Sequence, residues 1–170
     1  MVTIRQAKAP DLDILLPLIK TTFFVAFEHL NKPEDFKTYT DKAFAPEQVL
    51  SELQNPDSEF YFVMDNAEPV GYIKLNYGPA QTDVKDGDSM EVERLYVLAE
   101  HQSKQIGKLL MDFAEGRVQS KGLKYIWLGV WEHNLRAQNF YQRNGFEKFG
   151  THQFVVGTDV QTDFLVRKML

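Results

Sequence analysis

The sequence predicts an α/β fold in one domain, residues 1–170: a mixed sheet of about seven strands with about four helices packed on it. Alternating apolar and polar runs, the mark of half-buried strands, are separated by apolar stripes at helical spacing. The length of 170 residues suits one core, and a 44% hydrophobic, 13% aromatic composition can fill it.

Each element has its own local cause. Val2 to Lys8 alternates and reads as the first strand, and Asp11 to Leu30 carries Leu12, Leu15, Leu16, Ile19, Phe23 and Phe27 on one helical face. Pro17 is expected to kink or divide that helix. A second helical region opens at Pro33, breaks near Phe44 and restarts at Pro46, a proline suited to a first turn. Phe60 to Met64 and Val70 to Tyr77 are strands joined through the turn-forming Asp65 to Pro69, and Gly78 to Asp88 is a polar loop. Met90 to Leu98 is a strand, after which His101 and Gln102 open a helix with Ile106, Leu109, Leu110 and Phe113 as its buried stripe. Tyr125 to Trp131 is an aromatic and β-branched strand, and Asn134 starts a short helix closed by Asn144-Gly145. Phe146 to Val156 and Thr162 to Met169 complete the sheet, with Gly157 to Gln161 as a hairpin connection.

Composition removes several classes of function. The chain has no cysteine, which excludes disulfides, thiolate metal sites and cysteine nucleophiles and fits a reducing compartment. The 4 histidines (His29, His101, His133 and His152) lack a metal-ligand spacing, so no metal is expected. A formal net charge of -5 argues against binding nucleic-acid phosphates and suits a cationic substrate, although such acidity also simply aids solubility. The charged amino terminus is unlike a signal peptide, and no apolar run reaches membrane-spanning length. A soluble, cytoplasmic protein is expected.

The strongest chemical signal runs from Val97 to Leu110, where a strand turns into a helix amino terminus. Unpaired amides there, with the helix dipole, form a seat for a pyrophosphate. Gly107 leaves room, and Lys104 and Lys108 add charge. By itself the segment is equally well read as a plain strand-to-helix connection.

Arg94-Leu-Tyr-Val97, Gln102-Ser-Lys-Gln-Ile-Gly107 and Asn134-Leu-Arg-Ala-Gln-Asn-Phe-Tyr-Gln-Arg-Asn-Gly-Phe146 together resemble the GNAT superfamily of N-acetyltransferases in order and spacing. The resemblance implies a mostly antiparallel sheet and acetyl-CoA as co-substrate. It places Leu95, Tyr96 and Val97 along the pantetheine arm and Gln102, Ser103, Lys104, Gln105, Ile106, Gly107 and Lys108 around the pyrophosphate. Gln105 departs from the family signature, which has glycine there; its side chain either points away from the cofactor or crowds it. Further matches lie at Thr22-Phe23, Phe27, Asn31, Pro33-Glu34, Ala43-Phe44, Glu91-Val-Glu-Arg-Leu-Tyr96, Ile126-Trp-Leu-Gly-Val-Trp-Glu132 and Gln161-Thr-Asp163. These resemble the PaiA-type spermidine/spermine N-acetyltransferases and imply a polyamine acceptor. A homodimer is common in the superfamily.

Acetyl transfer needs a held and polarised carbonyl, a neutral amine and a proton for the leaving thiolate. A primary amine, with a pKa of about 10.4, arrives charged, so a carboxylate must draw off its proton. Strand alternation puts Glu91 and Glu93 on the face of Leu95 and Val97, and they are the candidate bases; alternatively both are exposed and pair with nearby cations. By resemblance Tyr141 is the acid beside the CoA sulfur, against the alternative of a core tyrosine beside Phe140 and Phe146. Asn134 either caps its helix or also meets the pantetheine. Phe23, Phe27, Glu28, Tyr77, Trp131 and Glu132 are candidates for the acceptor pocket, because aromatic faces and carboxylates suit alkylammonium chains. The expected activity is acetyl transfer to a polyamine. The alternatives are the same chemistry on an amino acid, aminoglycoside or peptide amino terminus, and a non-catalytic CoA-binding module.

Overall fold

The computed structural model describes all 170 residues as a seven-stranded sheet with five α-helices and short 3-10 turns. In chain order the elements are β1 (Val2–Ala7), α1 (Leu12–Phe27), α2 (Pro33–Ala43), α3 (Pro46–Gln54), β2 (Ser58–Asp65), β3 (Glu68–Tyr77), β4 (Ser89–Val97), α4 (Ile106–Ser120), β5 (Tyr125–Trp131), α5 (Leu135–Arg143), β6 (Glu147–Val156) and β7 (Asp159–Met169). Pro33 and Pro46 each stand at a helix start, so the region expected to break at Phe44 is two helices. α1 continues undivided through Pro17, whose clash with the carbonyl four residues earlier falls on Asp13 in the first turn. The β6–β7 turn is tighter than expected, since β7 begins at Asp159 rather than Thr162.

The strand order is β1-β2-β3-β4-β5-β7-β6, and every neighbouring pair is antiparallel except β4 and β5. That one parallel pair requires a crossover, which α4 supplies. α4 buries Ile106, Leu110, Met111, Ala114 and Val118 against one face of the sheet, where they meet Ile73, Leu75, Met90, Val92, Ile126 and Leu128. Leu109, expected in that stripe, is 39% exposed. On the other face Leu15, Leu18, Ile19 and Phe23 of α1, with Phe36 and Val49, cover Phe60, Phe62 and Tyr72.

Two irregularities of β4 shape everything that follows. Lys74 pairs with Arg94 but Leu75 pairs with Val92, so Glu93 is an extra, bulged residue. The bulge reverses the alternation: Met90 and Val92 share a core with Leu95 and Val97, which corrects the expectation that Glu91 and Glu93 lie on their face; both instead meet Asn76 on the opposite one. β4 also pairs with β5 only at Ser89, Met90 and Glu91, and beyond them the two strands part. A bulge bends its own strand, and this one lies where the parting begins.

Candidate active site

The parting of β4 from β5 leaves the β5-facing main chain of Leu95, Tyr96 and Val97 without a strand partner. Beyond Val97 the chain makes a 3-10 turn over Ala99–Lys104 and reaches Gln105 at φ 57, ψ 24, the left-handed region. The helix therefore starts at Ile106, not at Gln102 as expected. Left-handed backbone cannot continue a right-handed turn, so Gln105 stops one helix and starts the next. Its carbonyl accepts the amide of Leu109 at 3.1 Å, and the amides of Ile106, Gly107 and Lys108 belong to the first turn, where no intrahelical acceptor exists. The family glycine would supply the same backbone without strain, and the Gln105 side chain is exposed.

The side chains of this segment are occupied differently from expectation. Gln102 donates from Nε2 to the Val97 carbonyl at 3.1 Å and folds the loop back on the strand. Lys104 lies 3.5 Å from Asp65, Lys108 lies 2.5 Å from Asp112, and Ser103 is exposed. Gly107 packs against α5: a Cβ there would stand 3.4 Å from the Phe140 ring, an ordinary contact distance.

α5 presents Asn134 and Tyr141. Asn134 Oδ1 accepts the Ala137 amide at 3.1 Å, an N-cap, while Gln138 Nε2 donates to the carbonyls of Trp131 and Glu132 and ties α5 to the end of β5. The Tyr141 ring packs 5.2 Å from Phe140 and 5.6 Å from Phe146. Burial pushes its phenol up to about 12, so it carries its proton at neutral pH.

The paired glutamates differ sharply. Glu91 is 3% exposed and accepts hydrogen bonds from Asn76 Nδ2 at 3.0 Å, the Thr82 amide at 2.8 Å and the Thr82 hydroxyl at 2.5 Å. Burial raises its pKa in spite of those donors. It anchors the loop after β3. Glu93 accepts from Asn76 Nδ2 at 3.2 Å and pairs with Lys74, which also pairs with Glu52. Burial pushes the Glu93 carboxyl up, but Arg94 and Lys74 outweigh it and hold it below its ordinary range. Arg94 completes the group with Nη2 3.2 Å from Glu52.

A cavity of about 150 Å³ opens where the strands part. Phe23, Phe27 and Trp131, named from sequence as candidates for the acceptor pocket, line it together with Tyr39, Phe44 and Tyr96, and Glu93 is the one of the two glutamates that reaches it. Three expected residues do not line it. Tyr77 points elsewhere, donating its hydroxyl to the Pro56 carbonyl at 2.7 Å beneath Lys121, because it ends β3 beyond the region of parting. Glu28 is exposed in the turn after α1, and Glu132, past the end of β5, faces His133 at 3.5 Å. Asp163 of β7 lines the cavity and was not singled out as a site residue. Its signal was a lone carboxylate inside a strand, within the matched stretch Gln161-Thr-Asp163.

The chain is similar to known acetyltransferases along its length. The profile of the Acetyltransferase (GNAT) family matches residues 24–146. An uncharacterized N-acetyltransferase in the pepI 3' region of Lactobacillus delbrueckii subsp. lactis is 38% identical over 169 residues, covering 99% of this chain and 98% of that one. The spermidine N(1)-acetyltransferase of Thermoplasma acidophilum is 25% identical over 171 residues, covering 98% and 96%. Among solved structures, the PaiA N-acetyltransferase of Thermoplasma acidophilum in complex with coenzyme A superposes with a TM-score of 0.79 at 23% identity, covering 100% of this chain and 99% of that chain. This last likeness establishes the fold: the α/β sheet parted between its one parallel pair. The chain belongs to the GNAT family and is an acetyl-CoA-dependent N-acetyltransferase.

Proposed function

We propose that residues 1–170 act as one domain that transfers the acetyl group of acetyl-CoA to a primary amine of a polyamine such as spermidine, by direct attack, with Tyr141 as the acid. The observation that carries this reading is the aromatic cavity at the parting of β4 and β5, which adjoins the unpaired edge of β4. These groups fit the cofactor: the unpaired edge at Leu95–Val97 suits an amide-bearing arm, and the Ile106–Lys108 amides suit a diphosphate. Acetyl-CoA supplies the activated acyl group.

The chain's own residues then have separate tasks. The aromatic walls accept the methylene chain and cationic nitrogens of the acceptor. The phenol of Tyr141, kept protonated by burial, donates to the departing sulfur. Glu93, held ionised by Lys74 and Arg94, keeps a fixed negative charge at the wall. The polyamine acceptor is supported by the similarity to the Thermoplasma spermidine enzyme and by the aromatic lining.

Thiol release measured over a panel of spermidine, spermine, single-charge amines, amino acids, an aminoglycoside and peptides tests the reading. A higher kcat/KM for spermidine or spermine than for single-charge amines is expected. Preference for another acceptor defeats the polyamine assignment. Binding of acetyl-CoA with no turnover on any amine identifies a non-catalytic module instead.

A further inference from the structure

We propose that Asp163 of β7, rather than either glutamate of β4, receives the acceptor amine and takes its proton. The inference rests on the acetyl-transfer reading above and assigns its missing base.

The carboxylates around the cavity are distinguished by their partners. Glu91 is held by Asn76 and Thr82, Glu93 by Lys74 and Asn76, and Glu52 by Lys74 and Arg94. The cations Lys74 and Arg94 thus offset the anions Glu52 and Glu93, leaving that cluster near neutrality. The Asp163 carboxyl makes no hydrogen bond or ion pair and faces the cavity. It stands directly opposite Trp131 on β5 and His152 on β6, so the three side chains share one face of the sheet.

Gly129 adds an independent observation. Glycine weakens the interior of a strand and often marks a place where another group approaches. A Cβ on Gly129 would stand 3.3 Å from Asp163 Oδ2, and Gly129 also lines the cavity. The missing side chain makes room for the Asp163 carboxyl itself, which lies against β5 at the cavity wall with no other polar group on it. Burial, partly offset by His152, raises the Asp163 pKa and makes it a better proton acceptor than Glu93.

Asp163 takes one proton from the ammonium group, and the freed lone pair forms the N–C bond to the thioester carbonyl carbon. The C–S bond breaks, and the Tyr141 proton goes to sulfur. The nitrogen loses a second proton, which restores the phenol through solvent, while the first leaves Asp163 for bulk water.

The test compares Asp163→Asn and Glu93→Gln with wild type, using turnover of the best acceptor from pH 5 to 9, calorimetry with CoA, and thermal melting. Asp163→Asn is expected to lower kcat/KM for the amine about 100-fold. It should flatten the acidic limb of the pH profile, keep CoA affinity within about twofold and melt no lower than wild type, because an unpaired, half-buried carboxylate adds no stability. The groups facing Asp163 that also titrate or carry charge are His152, Glu93, Arg94 and Tyr39. Glu93→Gln must therefore retain the acidic limb, and so must His152→Gln. Gly129→Ala, which crowds the carboxylate without removing it, should raise KM for the amine. Wild-type kcat/KM in Asp163→Asn, or loss of the acidic limb in Glu93→Gln alone, overturns the assignment while leaving acetyl transfer intact. A wild type that binds CoA and acetylates no amine overturns the proposed function, and the base assignment with it.

Discussion

At the scale of single residues, the phenol and the carboxylates make distinct demands. Tyr141→Phe removes one oxygen from a ring packed between Phe140 and Phe146, so fold and CoA affinity should persist. Turnover should fall about 100-fold if the phenol supplies a proton. Steady-state rates with parallel CoA calorimetry check this, and an unchanged rate defeats the role. Glu91→Gln tests a different kind of residue. Its carboxylate accepts three hydrogen bonds from Asn76 and Thr82, so the amide loses the charge that strengthens all three and must reverse the bond to the Thr82 hydroxyl. A loss of about 1–3 kcal/mol in denaturant unfolding is expected. The sequence located both glutamates but not their difference, because alternation assumes a regular strand and Glu93 is a bulge. It passed over Asp163 because pairing across β5, β6 and β7, which brings that residue opposite Trp131, is nonlocal.

At the scale of elements, the joint between the 3-10 turn and α4 is the telling one. A residue other than glycine in left-handed conformation costs about 1–2 kcal/mol, against about 0.5–1 kcal/mol for glycine's extra freedom in the unfolded chain. Gln105→Gly should thus stabilise the protein by roughly 0.5–1 kcal/mol with CoA affinity retained, as read by thermal unfolding and calorimetry. The sequence showed a family glycine replaced; only the backbone angle gives the physical reason for glycine there. α4 is also fastened to β2 by Arg117, which donates to Glu59 at 2.8 and 3.1 Å. Burial pushes the Glu59 carboxyl up, but Arg117 and Tyr61 outweigh it and lower its pKa. A lowered carboxylate adds stability above its unfolded-state pKa and loses it as pH falls through the folded value. Lys121 stays 3.4 Å from Glu59, so Arg117→Ala should cost about 1–2 kcal/mol at neutral pH, with a smaller penalty in acid. Unfolding at pH 7 and at pH 3 checks both the size and the sign.

At the scale of the whole molecule, the chain order of elements and the number of strands followed from apolar periodicity and the family likeness, since each strand carries its own alternation. The parting of β4 and β5 did not, because nothing local to either strand records where pairing stops. A ligand seated there should stabilise the entire fold through linkage. At a free CoA concentration one hundred times its dissociation constant, the gain should be about 2.7 kcal/mol. Thermal unfolding against CoA concentration measures it, and a melting temperature independent of CoA would contradict a native-state seat.

The cavity is also closed by contacts between distant parts of the chain. Thr158 donates to Asp35 Oδ1 from both its amide and hydroxyl at 2.8 Å, and Gln161 Nε2 donates to Asn31 Oδ1 at 2.8 Å. The proposed donor seat, by contrast, relies on main-chain amides and a strand edge without a strand partner, groups that every sequence possesses. On that proposal, mutation can repaint the cavity, or retie its β6–β7 roof, without disturbing the main chain that would hold the thioester. Such an arrangement lets lineages trade one amine for another by a few side-chain changes while inheriting the transfer chemistry whole.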